Sequence, residues 1–363
     1  MAAVSQIAHR VAEGEFAHTL PDIIEPTWWT GTAAVDPVSF TIDCSGYEMS
    51  ETDRSDDGEL AIRMRETFER VGLVHLTNTG MTELSAMRKF AKVVVETEMT
   101  YDGGSNPRDN IEPNVYEVGA PLTAWLHYHH EMAYIGKSTR MVAFLAKDAL
   151  PGRGATFVSD SVAVTDELLT TEFGRKLAEL GVCYHRNLTD RDAFAGRVEE
   201  GVYNHWQKSL DTNDPDEAVA RAEARGLVTE WGSDRLLRTR YYVSAFEYFP
   251  QLDRNLLYCS VADHGMWFDT WPLVQHLPHH DRPLHLTYGD DSEMSPDELR
   301  QFVDIYGRHG TPIDWRRGDV AVVCNYRFAH GRPGIDLEAD EARRLGVILG
   351  AQYDRLGALA DKW

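Results

Sequence analysis

The chain has 363 residues, 43% of them hydrophobic and 10% aromatic, which suits a packed globular protein and excludes a disordered one. With 36 Lys+Arg against 58 Asp+Glu, the net charge is -22, and such a surface repels nucleic acid and anionic membranes. Cys44, Cys183, Cys259 and Cys324 lie far apart and form no CxxC pair, so neither a zinc knuckle nor a dithiol redox motif is indicated.

The opening "MAAVSQIAHRVAEGEF" has no basic segment followed by an apolar one, so no signal peptide is expected. No apolar run approaches the ~18–20 residues of a membrane span, and a cytoplasmic protein is expected. Residues 1–55 read as a poorly patterned arm and 56–363 as one domain. Ala61, Met64, Phe68 and Val71 recur at helical spacing, with Gly72 as a C-cap. "GLVHLTN" (72–78) reads as a strand and "MTELSAMRKFAKVVVETEM" as a second helix.

From about residue 115 the pattern changes to short strands separated by turns such as "PGRG" and "RRGD". The candidates are "MVAFLA", "ATFVSD", "YYVSAFEYF", "LLYCSVA", "GDVAVVCN" and "LGVILGAQYD". Helical insertions are expected near 190–235, containing "DPDEAVARAEARG", and near 295–310. The second opens on the capping box Ser295-Pro296-Asp297-Glu298 and buries Leu299, Phe302 and Tyr306. The fold class expected is mainly β with flanking helices, built on a double-stranded β-helix (jelly-roll) core.

"LHYHHEMAY" places three histidines and a glutamate within five positions (127–131). On an extended segment His129 and Glu131 share a face, so one strand end offers an imidazole nitrogen and a carboxylate oxygen to one ion. A third donor must come from elsewhere, and His330 in "NYRFAHGRPG" follows directly on a strand. Two histidines and a carboxylate form the facial set of non-haem Fe(II), although His2Glu also serves catalytic zinc. His127 and His130 read as packing groups. "HLPHHDRPLH", with His276, His279, His280 and His285, reads as a solvated loop.

Iron that activates O2 needs a two-electron co-reductant. If 2-oxoglutarate fills that role, its distal carboxylate requires a buried cation, and arginine suits because its fork binds carboxylate bidentately. Arg343 and Arg344 head the apolar strand "LGVILG", and the Thr156 hydroxyl can donate to the same carboxylate. A cupin-like zinc hydrolase or isomerase would use the three metal donors without needing these arginines.

Taken together, H-x-E, a Gly-rich turn leading to Thr156, W-x-x-GD-V, N-x-x-x-x-HGR and a late arginine resemble the taurine dioxygenase/clavaminate synthase superfamily of Fe(II)/2-oxoglutarate-dependent oxygenases. Similarity is greatest to the branch of syringomycin-biosynthesis-type amino-acid hydroxylases, through "YDGGSNPRDNI", "VYEVGAPLTAWLHYHHEMAY", "GVCYHRNLTD", "WQKSLDTNDPDEA", "LTYGDDSEM" and "DWRRGDVAVVCNYRFAHGR". The resemblance covers roughly residues 60–355 and implies Fe(II) on His129, Glu131 and His330, with 2-oxoglutarate and O2 as cosubstrates. It implies Arg344 as the 2-oxoglutarate arginine, with Thr156 assisting and Arg343 as second choice. Where the branch reads Asp-Asn this chain has Cys324-Asn325, and the aromatic usual after HGR-x-P is absent.

The activity implied is oxidation, foremost hydroxylation, of an unactivated C–H bond in an amino acid or amino-acid-like molecule of secondary metabolism. Desaturation or cyclisation is the alternative. Halogenating relatives lack the carboxylate, so Glu131 points to oxygenation. Arg186 in "YHRNL" is the candidate for a substrate carboxylate. The expected partner is a small molecule, free or tethered to a carrier protein, although an acidic surface disfavours an acidic carrier. A homodimer is the commonest assembly for such folds.

Overall fold

The computed structural model describes residues 33–55, 57–101, 110–118, 122–123, 125–196, 202–266, 268, 274–335 and 337–363. Most of "YDGGSNPRDNI" and the first 32 residues of the expected arm lie outside the described residues. The strands in chain order are β1 (Thr41–Asp43), β2 (Leu73–Thr77), β3 (Asn110–Glu112), β4 (Val115–Glu117), β5 (Leu126–His129), β6 (Lys137–Asp148) and β7 (Thr156–Asp160). They continue with β8 (Val182–Leu188), β9 (Val228–Trp231), β10 (Leu237–Val243), β11 (Phe246–Phe249) and β12 (Arg254–Leu257). The last are β13 (Leu284–Tyr288), β14 (Gly310–Ile313), β15 (Val320–Cys324), β16 (Phe328–Arg332) and β17 (Arg344–Asp354).

Two sheets face each other as a jelly roll. The larger has the order β1-β2-β15-β6-β17-β4-β3 and the smaller β14-β7-β16-β5. The continuous apolar runs of β6, β15 and β17 follow from burial on both faces. Phe144, Ala146, Val323, Leu345 and Val347 pack in the core between the sheets. Their alternating neighbours Ala143, Leu145, Val320, Val322 and Ile348 pack against the helices Glu59–Val71 and Leu84–Ala91 through Met64, Met87 and Phe90. A further sheet, β13-β8-β10-β9, and the pair β11-β12 complete the strands.

Two helices lie in the stretches read as insertions. Helix Pro215–Glu223 lies in the first, and helix Pro296–Arg308 carries the reciprocal Ser295/Glu298 cap of the second. No helix among the described residues is long and apolar enough to cross a membrane.

Four local readings change. The arm contributes β1, which pairs in parallel with β2. The second helix spans only Leu84–Ala91, because the β-branched run Val93–Val95 is poor helix and is buried beside the large sheet instead. "YYVSAFEYF" divides between β10 and β11, since Ser244 and Ala245 carry the chain from one sheet to another. "LLYCSVA" ends its strand at Leu257 and then enters helix Val261–Met266.

Candidate active site

β5 and β16 pair in the smaller sheet with His129 opposite His330. Gly331 permits this closeness: a Cβ there would stand 2.6 Å from the Leu126 carbonyl oxygen. The imidazole centroids of His129 and His330 are 4.5 Å apart. β5 ends at His129, and the turn that follows swings the Glu131 side chain inward, with its Oε2 3.8 Å from His330 Nε2. One ligand atom from each of the three residues lies within 4.8 Å of the others, and all three residues are buried. His129 Nδ1 donates to the His127 carbonyl at 2.8 Å. A carbonyl can only accept, so Nδ1 carries the proton and Nε2 keeps its lone pair for a metal.

Glu131 is fixed through its backbone. The buried Asn325 side chain accepts from Glu131 N–H at 2.8 Å and donates to the Glu131 carbonyl at 3.0 Å. The same amide nitrogen reaches the Thr139 carbonyl at 2.8 Å and Tyr258 Oη at 2.7 Å. The turn between β15 and β16 thus holds the carboxylate segment in place. Met132, next along, has φ 58°, so the turn is strained as well as clamped. In the sequence Asn325 stands out only through N-x-x-x-x-HGR and the Cys324-Asn325 pair, and no periodic signal marks it.

The neighbouring histidines serve the scaffold. His130 Nε2 lies 2.9 Å from Ser161 Oγ, while its Nδ1 accepts from the Cys259 N–H at 3.2 Å. Burial pulls its pKa down to about 3, and that of His127 to about 4, so both rings are neutral.

Arg343 and Thr156 line the same cavity as the three donors, with Phe144, Leu345 and Val347 as apolar wall. Arg343 Nε donates to the Gly154 carbonyl at 2.7 Å and one terminal nitrogen donates to Thr156 Oγ1 at 3.2 Å. Trp315 Nε1 also donates to Thr156 Oγ1, at 2.9 Å. This explains the W-x-x-GD pattern in part. The Asp319 of that pattern accepts from the Arg316 N–H at 2.9 Å and faces His75 at 3.1 Å, bracing the turn that presents Trp315.

Among the described residues no carboxylate comes within ion-pair distance of Arg343, and burial alone pulls its pKa down to about 10. A buried guanidinium without a counter-ion is costly unless an anion arrives.

Arg344 does not line this cavity. Its side chain is 67% exposed and pairs with Asp148 across the strand edge. The reason is strand parity: Arg343 shares a face with Leu345 and Val347, whereas Arg344 shares the other with Gly346 and Ile348. Arg332, which the reading of HGR left without a role, lines the cavity too, and burial and the nearby Arg343 pull its pKa down to about 9.

Arg186 is buried on β8, away from this cavity, with its guanidinium 5.9 Å from the Tyr134 ring. Of the other histidines, His285 meets Glu293 at 3.0 Å and stacks near His279 and His185, on the sheet formed by β8 and β13.

The chain is similar to several known proteins. The family described as Taurine catabolism dioxygenase TauD, TfdA family matches residues 35–350. A clavaminate synthase-like protein of Arabidopsis thaliana is 25% identical over 244 residues, covering 66% of this chain and 70% of that protein. The Dapdiamide synthesis protein DdaC of Enterobacter agglomerans is 24% identical over 302 residues, covering 78% and 84%. Among solved structures, a taurine dioxygenase from Burkholderia xenovorans is similar at TM-score 0.49 and 13% identity, covering 88% of each chain. A match running from the first strand through both histidine segments to the arginine strand places the chain in the TauD/TfdA family, the Fe(II)- and 2-oxoglutarate-dependent dioxygenases that consume O2.

Proposed function

We propose that the protein oxidises, by hydroxylation, an unactivated C–H bond of an amino acid or amino-acid-like acid, with Fe(II) on His129, Glu131 and His330. The carrying observation is Arg343, a buried cation without a counter-ion among the described residues, beside three converging donors. In this reading Arg343 and Thr156 hold the distal carboxylate of 2-oxoglutarate, the fork by two parallel hydrogen bonds and the hydroxyl by a third. Fe(II), with 2-oxoglutarate as two-electron donor, supplies the activation of O2 that puts one oxygen atom on the substrate and one into succinate, with loss of CO2.

The chain's own residues position and exclude. Phe144, Leu345 and Val347 keep water from the cavity. Three protein donors leave the remaining coordination positions to small molecules. Glu131 keeps the third protein donor in place, which supports oxygen transfer rather than halide transfer. The amino-acid reading is supported by the buried Arg186 and by similarity to a relative named for dapdiamide synthesis.

The test is anaerobic addition of Fe(II) and then 2-oxoglutarate to metal-free protein. A weak visible metal-to-ligand charge-transfer band is expected, and fully bound iron without that band refutes chelation by the cosubstrate. A second expectation concerns Asn325. Asn325→Ala leaves the Glu131 peptide N–H and C=O without their side-chain partner, and metal affinity should fall about 10- to 100-fold, as for other groups that orient a ligand. Asn325→Asp keeps the acceptor and loses the donors, so it should fall between. Titration with Fe(II) or Co(II) measures both, and affinities equal to the parent protein's would remove Asn325 from the site.

A further inference from the structure

Two stretches of the sequence, "HLPHHDRPLH" and "LTYGDDSEM", meet on the sheet β13-β8-β10-β9, apart from the sheet that carries His129 and His330. His276, His279 and His280 are exposed, as a solvated loop requires, but His285 is not. It stands on β13 directly opposite His185 of β8 and is 7% exposed. Strand parity sends its neighbours Leu284 and Leu286 into apolar clusters and His285 to the opposite face.

A tight turn after β13 brings Glu293 back beside the strand. Tyr288 N–H donates to the Ser292 carbonyl at 2.9 Å, and Asp291 N–H to the Tyr288 carbonyl at 3.0 Å. Glu293 Oε1 thereby lies 3.0 Å from His285 Nε2. His279 arrives from the other end of the strand. It opens the 3-10 turn His279–Asp281, which Asn187 of β8 ties down by donating to the carbonyls of His280 at 2.8 Å and Arg282 at 2.6 Å. The ring centroids of His279 and His285 are then 5.1 Å apart. One ligand atom from each of His279, His285 and Glu293 lies within 4.8 Å of the others. An ion with about 2.0–2.2 Å to nitrogen and oxygen sets two tetrahedral donors about 3.4 Å apart. The His285–Glu293 pair opens to that separation by roughly 0.4 Å, the ion replacing the proton between them. A second set nearby, Cys183, His185 and Asp291, is otherwise engaged. Burial pushes the Cys183 thiol up to about 12, His185 Nε2 bonds Thr287 Oγ1 at 3.0 Å, and both Asp291 carboxylate oxygens accept from the Tyr242 hydroxyl at 3.0 Å.

We propose that His279, His285 and Glu293 form a second metal site, which takes Zn(II) with water in the fourth position and fastens the turns on either side of β13 to the strand between them. Two imidazoles and a carboxylate suit zinc, and a given donor set binds Zn(II) more tightly than Fe(II). His279 and Glu293 are exposed, so this open site holds Fe(II) too weakly to compete with the buried donors at residues 129, 131 and 330. Its role is structural: one ion joins three segments that the backbone holds only through separate turns. The site does not depend on the iron and 2-oxoglutarate reading given above.

The test titrates metal-free protein with Zn(II) against a chromophoric chelator. The parent is expected to take up two equivalents, because the donors at 129, 131 and 330 hold zinc as well. His285→Asn, His279→Asn and Glu293→Gln should each weaken one equivalent on the order of 100-fold and leave the other. His280→Asn changes an exposed histidine of the same turn that faces only Asp281, and it should keep both. His330→Ala should weaken the other equivalent alone. The charge-transfer band formed with Fe(II) and 2-oxoglutarate should be the same in His285→Asn as in the parent. If His285→Asn fails to fold, the variants of the two exposed donors carry the test. A single equivalent in the parent, a second one that survives both His279→Asn and Glu293→Gln, or an equal loss in His280→Asn overturns the site. Failure of His330→Ala to weaken either equivalent overturns the reading of the buried donors instead and leaves this site standing.

Discussion

Arg343→Gln raises the half-saturating concentration of 2-oxoglutarate roughly thirtyfold, whereas Arg344→Ala changes it by less than about twofold. The first figure follows from burial. Removing one partner of a buried, hydrogen-bonded charge pair costs about 2–5 kcal/mol, and about 1.4 kcal/mol is tenfold in affinity. The low end applies because Thr156 and the metal still hold the cosubstrate. Arg344 has only a solvent-facing pair with Asp148, the kind worth about 0–1 kcal/mol. Arg343→Lys keeps the charge and loses the fork, so an intermediate loss of about tenfold is expected. Stability separates ligand binding from a structural role. In the absence of 2-oxoglutarate the Arg343 guanidinium is buried without a counter-ion among the described residues, so Arg343→Gln should melt no lower than the parent. Saturating 2-oxoglutarate should then raise the parent's melting temperature and hardly move the variant's. Titration of the charge-transfer band and a pair of melting curves read out both. Equal loss in Arg343→Gln and Arg344→Ala would return the role to the strand start as a whole.

That pair of arginines marks where the sequence could be read and where it could not. The convergence of His129, Glu131 and His330 was legible because metal donors are few in kind and strand ends are visible as breaks in apolar runs. The jelly-roll core was legible because its strands are apolar and evenly punctuated. Choosing between Arg343 and Arg344 required knowing which face of β17 meets the cavity, and both faces of that strand are apolar because both are buried. A clue did exist. Gly346 and Gly350 share the Arg344 face, and there a Cβ would meet Val115 Cγ1 at 2.8 Å and Val95 Cγ1 at 2.3 Å. Small residues mark the face where other chain presses close, so the open space had to lie on the face of Leu345 and Val347. Asn325 left no such trace. Its contacts with the Glu131 backbone join segments that are far apart in sequence.

His330→Ala is expected to lower Fe(II) affinity on the order of 100- to 1000-fold and to abolish the charge-transfer band. Sites with four protein donors bind zinc with about 10–16 kcal/mol, or about 2.5–4 kcal/mol for each donor, which is about two to three decades of affinity. His330 has no understudy, because its neighbour on the opposite strand, His129, is already a donor and Arg332 cannot bind a cation. Glu131→Ala should weaken binding by a comparable factor while leaving two facing imidazoles, so residual metal is expected there and not in a variant lacking both histidines. The histidines of "HLPHHDRPLH" supply the control. His285 lies on β13 and pairs with Glu293 outside the cavity, so His285→Asn should leave both iron affinity and the band unchanged. Iron content after gel filtration and Co(II) titration distinguish the cases. If His285→Asn loses iron and His330→Ala keeps it, the ion belongs to the other cluster and the convergence of residues 129, 131 and 330 has another purpose. If the expected order holds, the loss in His330→Ala should exceed that in Asn325→Ala, because the first removes a donor and the second only loosens one.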